Sequence, residues 1–236
     1  MTDLVDHIRI DAQALVTAAE SNPGAAIGRY DGWTQLDLLV HTGSVHRRTL
    51  EVVRSRSLER MGRSFPPDEE WSTVVPWFRE GAEAMVEVLE HTDPRTPVWA
   101  FGPVPCVGSW RVRMALETTV HRWDAEEAVG SPRPIDPVLA ARGIDEFGIL
   151  WAGTVPSDGL DHDLCLRATD VARAWVFGVF EGAVRLGSGE AGDSIAGSAS
   201  DLYLWLLGRG NADSLTVAGD VDAWERSIRS LPDASR

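Results

Sequence analysis

Glu117, His121 and Asp124, in the run Trp110-Arg111-Val112-Arg113-Met114-Ala115-Leu116-Glu117-Thr118-Thr119-Val120-His121-Arg122-Trp123-Asp124, are the residues whose types and spacing most directly suggest chemistry. At about 100° per residue, a helix sets Glu117 and His121 about 40° apart, with Asp124 about 20° to the other side of Glu117, so all three share a face. Glu and His at i,i+4 leave the helix a turn apart and converge, which suits a divalent ion. Two ligands do not make a site, and the same pair also describes a surface ion pair. A metal site therefore requires a third ligand from elsewhere. Val112, Leu116, Val120 and Trp123 form the core stripe of this helix, offset by one residue from the polar line. That offset puts the carboxylates and the imidazole at the edge of the buried face, where a helix bundle would build a metal site.

Other titratable residues are read against that requirement. Leu38, His41 and Val45 follow i, i+3, i+7, so His41 points with an apolar face. A buried imidazole needs a partner for at least one ring nitrogen, whether carbonyl, carboxylate or metal. His46 faces elsewhere and, with Arg47 and Arg48, reads as a solvated basic end; His7 reads as solvated. Cys106 and Cys165 stand far apart without C-x-x-C spacing, which suggests neither a thiolate zinc site nor a disulfide framework. Cys106, between Pro105 and Val107, reads as a packing residue or an exposed thiol. No Gly-rich phosphate loop and no G-x-S-x-G elbow occurs.

Composition narrows the classes further. The 236 residues, 44% hydrophobic, suffice for one large domain or two small ones. A formal charge of −14, from 36 acidic and 22 basic residues, argues against nucleic acid or an anionic membrane as partner. Met1-Thr2-Asp3-Leu4-Val5-Asp6-His7 lacks the basic start and apolar run of a signal peptide, and no 18-residue apolar stretch occurs, so a cytoplasmic location is expected. Ten tryptophans against two tyrosines imply large packed apolar surfaces.

The elements that must position these residues follow from periodicity. Leu4, Ile8, Ala12, Leu15 and Ala19 predict a helix from residue 3 to about 20, closed by Asn22-Pro23-Gly24. Thr34 with Asp37 resembles a capping box opening a second helix. After a polar connection over 54–67, Trp71, Val74, Phe78, Ala82, Met85 and Leu89 predict a third helix reaching His91, with the 3.5-residue rhythm of bundle packing. The proline-rich but apolar stretch 92–108, with Trp99 and Phe101, reads as a lid or a wall. Ser109 is the expected N-cap of the fourth helix, and Asp136-Pro137 opens a fifth. The period then changes. Leu164 to Ala168, Trp175 to Val179 and Ala183 to Leu186 read as strands of an antiparallel sheet, the last two around a Phe180-Glu181-Gly182 turn. Ser198 caps a helix over 199–207, and a short strand over 215–217 precedes a last helix over 221–230. The expected division is a helical domain over 1–152 and a small α+β domain over 153–236.

Taken together, Trp33-Thr34-Gln35-Leu36-Asp37-Leu38-Leu39-Val40-His41, Glu117-Thr118-Thr119-Val120-His121-Arg122-Trp123-Asp124 and Ala199-Ser200-Asp201-Leu202-Tyr203-Leu204-Trp205-Leu206-Leu207-Gly208-Arg209 resemble the mycothiol-dependent maleylpyruvate isomerase family. The resemblance implies a DinB-like metal-binding four-helix bundle followed by a small, sterol-carrier-like α+β domain. It makes His41, Glu117 and His121 ligands of Zn²⁺, or of another divalent ion that accepts nitrogen and oxygen donors, and three such ligands leave a position open, as in catalytic zinc sites. It further implies mycothiol, a thiol that serves actinobacteria in place of glutathione, as co-substrate. Activated as a metal-bound thiolate, mycothiol would isomerise a small electrophile from cis to trans or be transferred to it.

Asp124 and Arg113 are the expected catalytic residues, Asp124 either orienting a ligand by hydrogen bond or holding Arg122 or Arg113. Arg167, Arg173, Arg185 and Arg209 are candidates for gripping a carboxylate. The expected partners are thus mycothiol and a small electrophile, with no nucleic acid or membrane, in a monomer or homodimer. Two alternatives stand beside this reading: a zinc hydrolase or lyase using metal-bound water, and a non-catalytic small-molecule binding or self-resistance protein on the same fold.

Overall fold

Four long helices make the first unit, and their apolar periodicity accounts for their packing. The computed structural model describes residues 3–187, 191–210 and 212–231. Met1 and Thr2, which head the N-terminal segment read above, lie outside them. The chain divides into two compact units, Met1–Arg133 and Pro134–Arg236. In the first, α1 (Leu4–Ser21), α2 (Gln35–Ser55), α3 (Trp71–His91) and α4 (Val107–Ala128) form a bundle in which α1 packs chiefly on α4 and α2 on α3. Leu15, Val16, Leu38, Leu39, Val74 and Phe78 meet in its core. Burying each of the larger side chains contributes roughly 1.5–3 kcal/mol.

The helix ends are secured as their sequences suggest. The Asp37 carboxylate accepts from both the backbone N–H and the hydroxyl of Thr34 at 2.8 and 2.7 Å, opening α2. Carbonyls at the C-terminal end of α3, at Leu89 and Thr92, accept from the Arg111 guanidinium. α4 starts two residues before the expected cap. Cys106 is its N-cap, and Ser109, inside the first turn, donates to the Val104 carbonyl instead.

The second unit is α+β. α5 (Pro137–Leu150), capped by Asp136, packs on α6 (Ala199–Leu206), capped by Ser198. Gly143 permits the close approach, because a Cβ there would overlap the Tyr203 ring. α5, expected as an appendage of the bundle, thus belongs with the α+β unit, and the division falls at 133/134 where 152/153 was expected. The sheet, β1 (Leu164–Ala168), β2 (Ala174–Phe180), β3 (Ala183–Gly187), β4 (Asp193–Gly197) and β5 (Thr216–Ala218), has the order β3-β2-β1-β4-β5. Glu181 and Gly182, both at positive φ, turn the β2–β3 hairpin as the sequence indicated.

One strand departs from the all-antiparallel expectation. β4 was not anticipated, since Asp193-Ser194-Ile195-Ala196-Gly197 carries one large apolar side chain and reads as loop. It pairs parallel with β1, so the sheet is mixed. α7 (Asp222–Arg229) closes the unit, its Trp224 donating to the His162 carbonyl. No helix among the described residues is long and apolar enough to cross a membrane.

Candidate metal centre

Glu117 and His121 reach their site from the middle of α4, and His41 from the second turn of α2. The pairs His46–Thr118 and Thr49–Met114 show that the two helices run antiparallel, numbers rising on one as they fall on the other. That register brings His41 level with His121, their ring centroids 5.0 Å apart, and Glu117, one turn earlier on α4, reaches both with its carboxylate. His41 Nε2 lies 3.2 Å and His121 Nε2 3.3 Å from the same carboxylate oxygen, Glu117 Oε1. One ligand atom from each residue falls within 4.8 Å of the others. Glu117/His121 is therefore no surface pair: His41 and His121 are 7% and 4% exposed. α4 is buried around most of its circumference, so its polar line lies inside the bundle and not at the edge of the buried face.

The surroundings orient each donor. Asp124 accepts from His121 Nδ1 at 3.0 Å, which turns Nε2 toward Glu117. Burial lowers the affinity of His121 for a proton, yet its hydrogen bonds to the Asp124 and Glu117 carboxylates outweigh burial and raise its pKa. Arg113 donates to Glu117 Oε2 at 2.6 Å. Burial opposes ionisation of Glu117, but Arg113 and the two imidazoles keep its pKa well below the usual carboxylate value. Burial lowers the pKa of His41. Its Nδ1 faces Arg63 Nη1 at 3.4 Å, a contact that needs an unprotonated Nδ1 and so belongs to the metal-free arrangement. The turn between α1 and α2 supplies an aromatic wall, with the Trp33 ring 5.3 Å from His41 and the Tyr30 ring 6.1 Å from His121.

Two neutralisable nitrogens and an ionised carboxylate oxygen, with the rings positioned by other groups, fit a borderline divalent ion such as zinc. The structure thus brings together all five expected residues of the bundle; Asp124 holds His121, and Arg122 pairs with Asp11 and Glu126. Cys106 is half-buried and Cys165 buried; neither joins the cluster.

The expectation of a solvated basic end after His41 is overturned. His46 is fully buried, its Nε2 2.9 Å from the Thr118 hydroxyl and its ring 5.5 Å from Phe78, and burial pushes its pKa down to about 3. Arg48 is buried as well. The cause is that the middle of α2 is enclosed by α3, α4 and the Trp99–Phe101 loop, so His46 and Arg48 are buried while Asp37, Glu51 and Arg54 nearer its ends remain exposed. That loop is a wall: the Trp99 carbonyl accepts from Trp110 Nε1 at 2.6 Å, and the Trp99 N–H donates to Ser57. Tyr30, Arg63 and Arg48 are the neighbours that sequence reasoning did not find, and only the i,i+7 relation of Arg48 to His41 signalled one of them.

In the second unit, Arg173 is paired with Asp145 and lies over Trp175, Arg209 donates to the Leu207 carbonyl, and Arg167 and Arg185 are exposed.

Residues 5–126 match the family model described as the mycothiol maleylpyruvate isomerase N-terminal domain. No curated protein sequence matches this chain. Among solved structures, a histidine-to-alanine mutant of the mycothiol-dependent maleylpyruvate isomerase is similar, at 14% identity and a TM-score of 0.63, covering 92% of this chain and 96% of that one. A second crystal structure of the mycothiol-dependent maleylpyruvate isomerase gives a TM-score of 0.57 at the same identity and coverage.

Proposed function

The chain belongs to the mycothiol maleylpyruvate isomerase N-terminal domain family, and from that premise we propose that it is a metal-dependent enzyme that uses mycothiol as nucleophile toward a small electrophile, isomerising it or transferring the thiol to it. The observation that carries this reading is the convergence of His41 Nε2 and His121 Nε2 on one oxygen of Glu117. A divalent ion, with zinc the first choice, held by these three residues supplies the Lewis acidity that lets a thiol lose its proton near neutral pH.

The chain's own residues do the rest. Asp124 fixes the tautomer of His121 and stabilises any positive charge the imidazole acquires. Arg113 keeps Glu117 ionised and restrains its second oxygen, so that only Oε1 faces the two imidazoles. Trp33 and Tyr30 cover the imidazoles on one side and keep water from that face. Asp124 and Arg113 are in this reading positioning residues.

The test is the metal content of untagged protein, measured by inductively coupled plasma mass spectrometry beside His41→Ala, followed by turnover assays with and without mycothiol. About one zinc per chain, lost in the variant, together with turnover that depends on the thiol, supports the proposal. Thiol-independent turnover would make bound water the nucleophile and the protein a hydrolase or lyase. Protein that takes up no metal after incubation with zinc would leave a binding or self-resistance protein as the function.

A further inference from the structure

α2 and α4 supply the His41–Glu117–His121 cluster, yet neither packs chiefly on the other: α2 rests on α3, and α4 on α1. Apolar contact is non-directional, so the level of α2 against α4 needs another device. That level matters here. One residue of slip moves a side chain about 1.5 Å along a helix, whereas metal ligands must be placed to within about 0.2 Å.

The seam between the two helices carries polar rungs. At one end Gln35, fully buried in the first turn of α2, donates from Nε2 to the Ala125 carbonyl in the last turn of α4 at 2.9 Å. His41 meets Glu117 further along, and then His46 Nε2 lies 2.9 Å from the Thr118 hydroxyl. The Thr49 hydroxyl reaches Met114 Sδ at 3.2 Å, but it also donates to the Val45 carbonyl of its own helix. The cluster is thus bracketed, by Gln35 on one side and by His46 on the other.

His46 is the more unusual bracket. Both it and Thr118 are fully buried, and its Nδ1 has no partner among the described residues. Burial keeps the ring neutral, so it carries one N–H. With that proton on Nε2 the donor is satisfied at Thr118 and only a lone pair is left bare at Nδ1, the less costly arrangement. An apolar side chain of similar bulk would leave no bare nitrogen, so stability alone gives no reason for an imidazole here. What the imidazole adds is direction. A hydrogen bond weakens steeply as its donor swings out of line, and the ring is also set against Phe78 of α3 at 5.5 Å. His46 therefore ties α4 to the α2–α3 pair at the residue next to Glu117.

We propose that His46, acting through Thr118, is a positioning residue that fixes the level of α4 against α2 and so keeps the Glu117 carboxylate within reach of both His41 and His121. This rests on the metal reading above and adds to it a residue outside the candidate ligands. The experiment compares full-length wild type with Thr118→Val, the doubly apolar His46→Leu/Thr118→Val, the rescue variant His46→Gln, whose amide can donate from the place of Nε2, and the control Thr49→Val. Each is stripped with a chelator and loaded with cobalt(II) to record its d–d absorption. Zinc affinity is measured by competition, and stability by urea titration. Replacing both members of a buried hydrogen bond by apolar groups of like shape is nearly neutral for stability. The double variant should therefore stay as stable as wild type while its zinc affinity falls about tenfold and its cobalt absorption changes in position and intensity. His46→Gln and Thr49→Val should keep zinc affinity within about threefold of wild type.

A double variant with zinc affinity within about twofold of wild type and an unchanged cobalt spectrum would overturn the proposal. So would an equal loss in Thr49→Val, or a loss in His46→Gln as large as that in the double variant. If the double variant fails to fold, Thr118→Val decides by the same criteria. Wild type that binds neither metal would refute the metal reading, and the rung is then judged without metal. In the metal-free protein the imidazole nitrogen resonances of His41 report its contact with Glu117. Their displacement in the double variant would uphold the positioning role, and unchanged resonances would refute it.

Discussion

Replacing Asp124 tests how far the proposed metal site depends on a residue outside its three candidate ligands. Asp124 is 2% exposed, and its Oδ2 accepts from His121 Nδ1 at 3.0 Å. In Asp124→Asn the side-chain carbonyl can still accept that proton, but without charge. Hydrogen bonds to charged groups contribute roughly 1.5–3 kcal/mol and neutral ones roughly 0.5–1.5, so the substitution removes about 1–2 kcal/mol of support for His121. Zinc affinity should fall about 5- to 30-fold in Asp124→Asn, and about 10- to 100-fold in Asp124→Ala, which leaves Nδ1 with no acceptor. The assay is competition against a chromogenic zinc chelator of known affinity near pH 7.5, with circular dichroism melts to show that each variant is folded. Affinities within twofold of wild type in both variants would refute the reasoning, for His121 would then be held by packing alone. A loss in Ala with none in Asn would assign Asp124 a steric and not an electrostatic role.

Three further outcomes follow from the same structure. His46, pushed down to about 3 by burial against about 6.5 in the unfolded chain, contributes stability that is complete above pH 6.5 and is lost as pH falls toward 3. Urea titrations should therefore show wild type losing about 2 kcal/mol more than His46→Gln between pH 7 and pH 5, and parallel curves would contradict the buried neutral imidazole. Gly143→Ala forces a methyl into the Tyr203 ring. It should destabilise the α+β unit by about 1–3 kcal/mol despite the better helix propensity of alanine, read as a lowered melting temperature; a more stable variant would mean that α5 and α6 can separate without penalty. Asp37→Ala removes the carboxylate that opens α2 and should lower stability by about 1 kcal/mol while leaving zinc affinity within about twofold, because His41 lies more than a turn inside the helix. A large loss of zinc would show that fraying reaches the ligand.

Particular residues show where the sequence sufficed. The helix that carries Glu117 and His121 is predicted by spacing, and their convergence is a consequence of i,i+4 geometry that no tertiary contact can alter. Thr34 with Asp37 identified the start of α2, and Asp136-Pro137 that of α5, because caps are satisfied within a few residues. The β2–β3 hairpin was readable for the same reason, through Glu181 and Gly182 at positive φ. His41 could be assigned to an apolar face, but the meeting with Glu117, 76 residues away, came to the sequence reading only through family resemblance.

What the tertiary structure decided is everything that depends on which surfaces meet. The antiparallel register of α2 and α4 sets His41 across from His121, within reach of the Glu117 carboxylate one turn away. The enclosure of α2 on several sides turns His46 and Arg48, polar by type and apparently solvated by position, into buried groups. β4 exists because β1 offers it a parallel edge, and not because its own residues favour extension. α5 joins the α+β unit because Gly143 admits Tyr203. Spacing along a chain determines the angle of a side chain about its own helix or strand. The partner across from it, and so whether a charge is solvated, paired or left waiting for a ligand, is set by packing between elements distant in sequence.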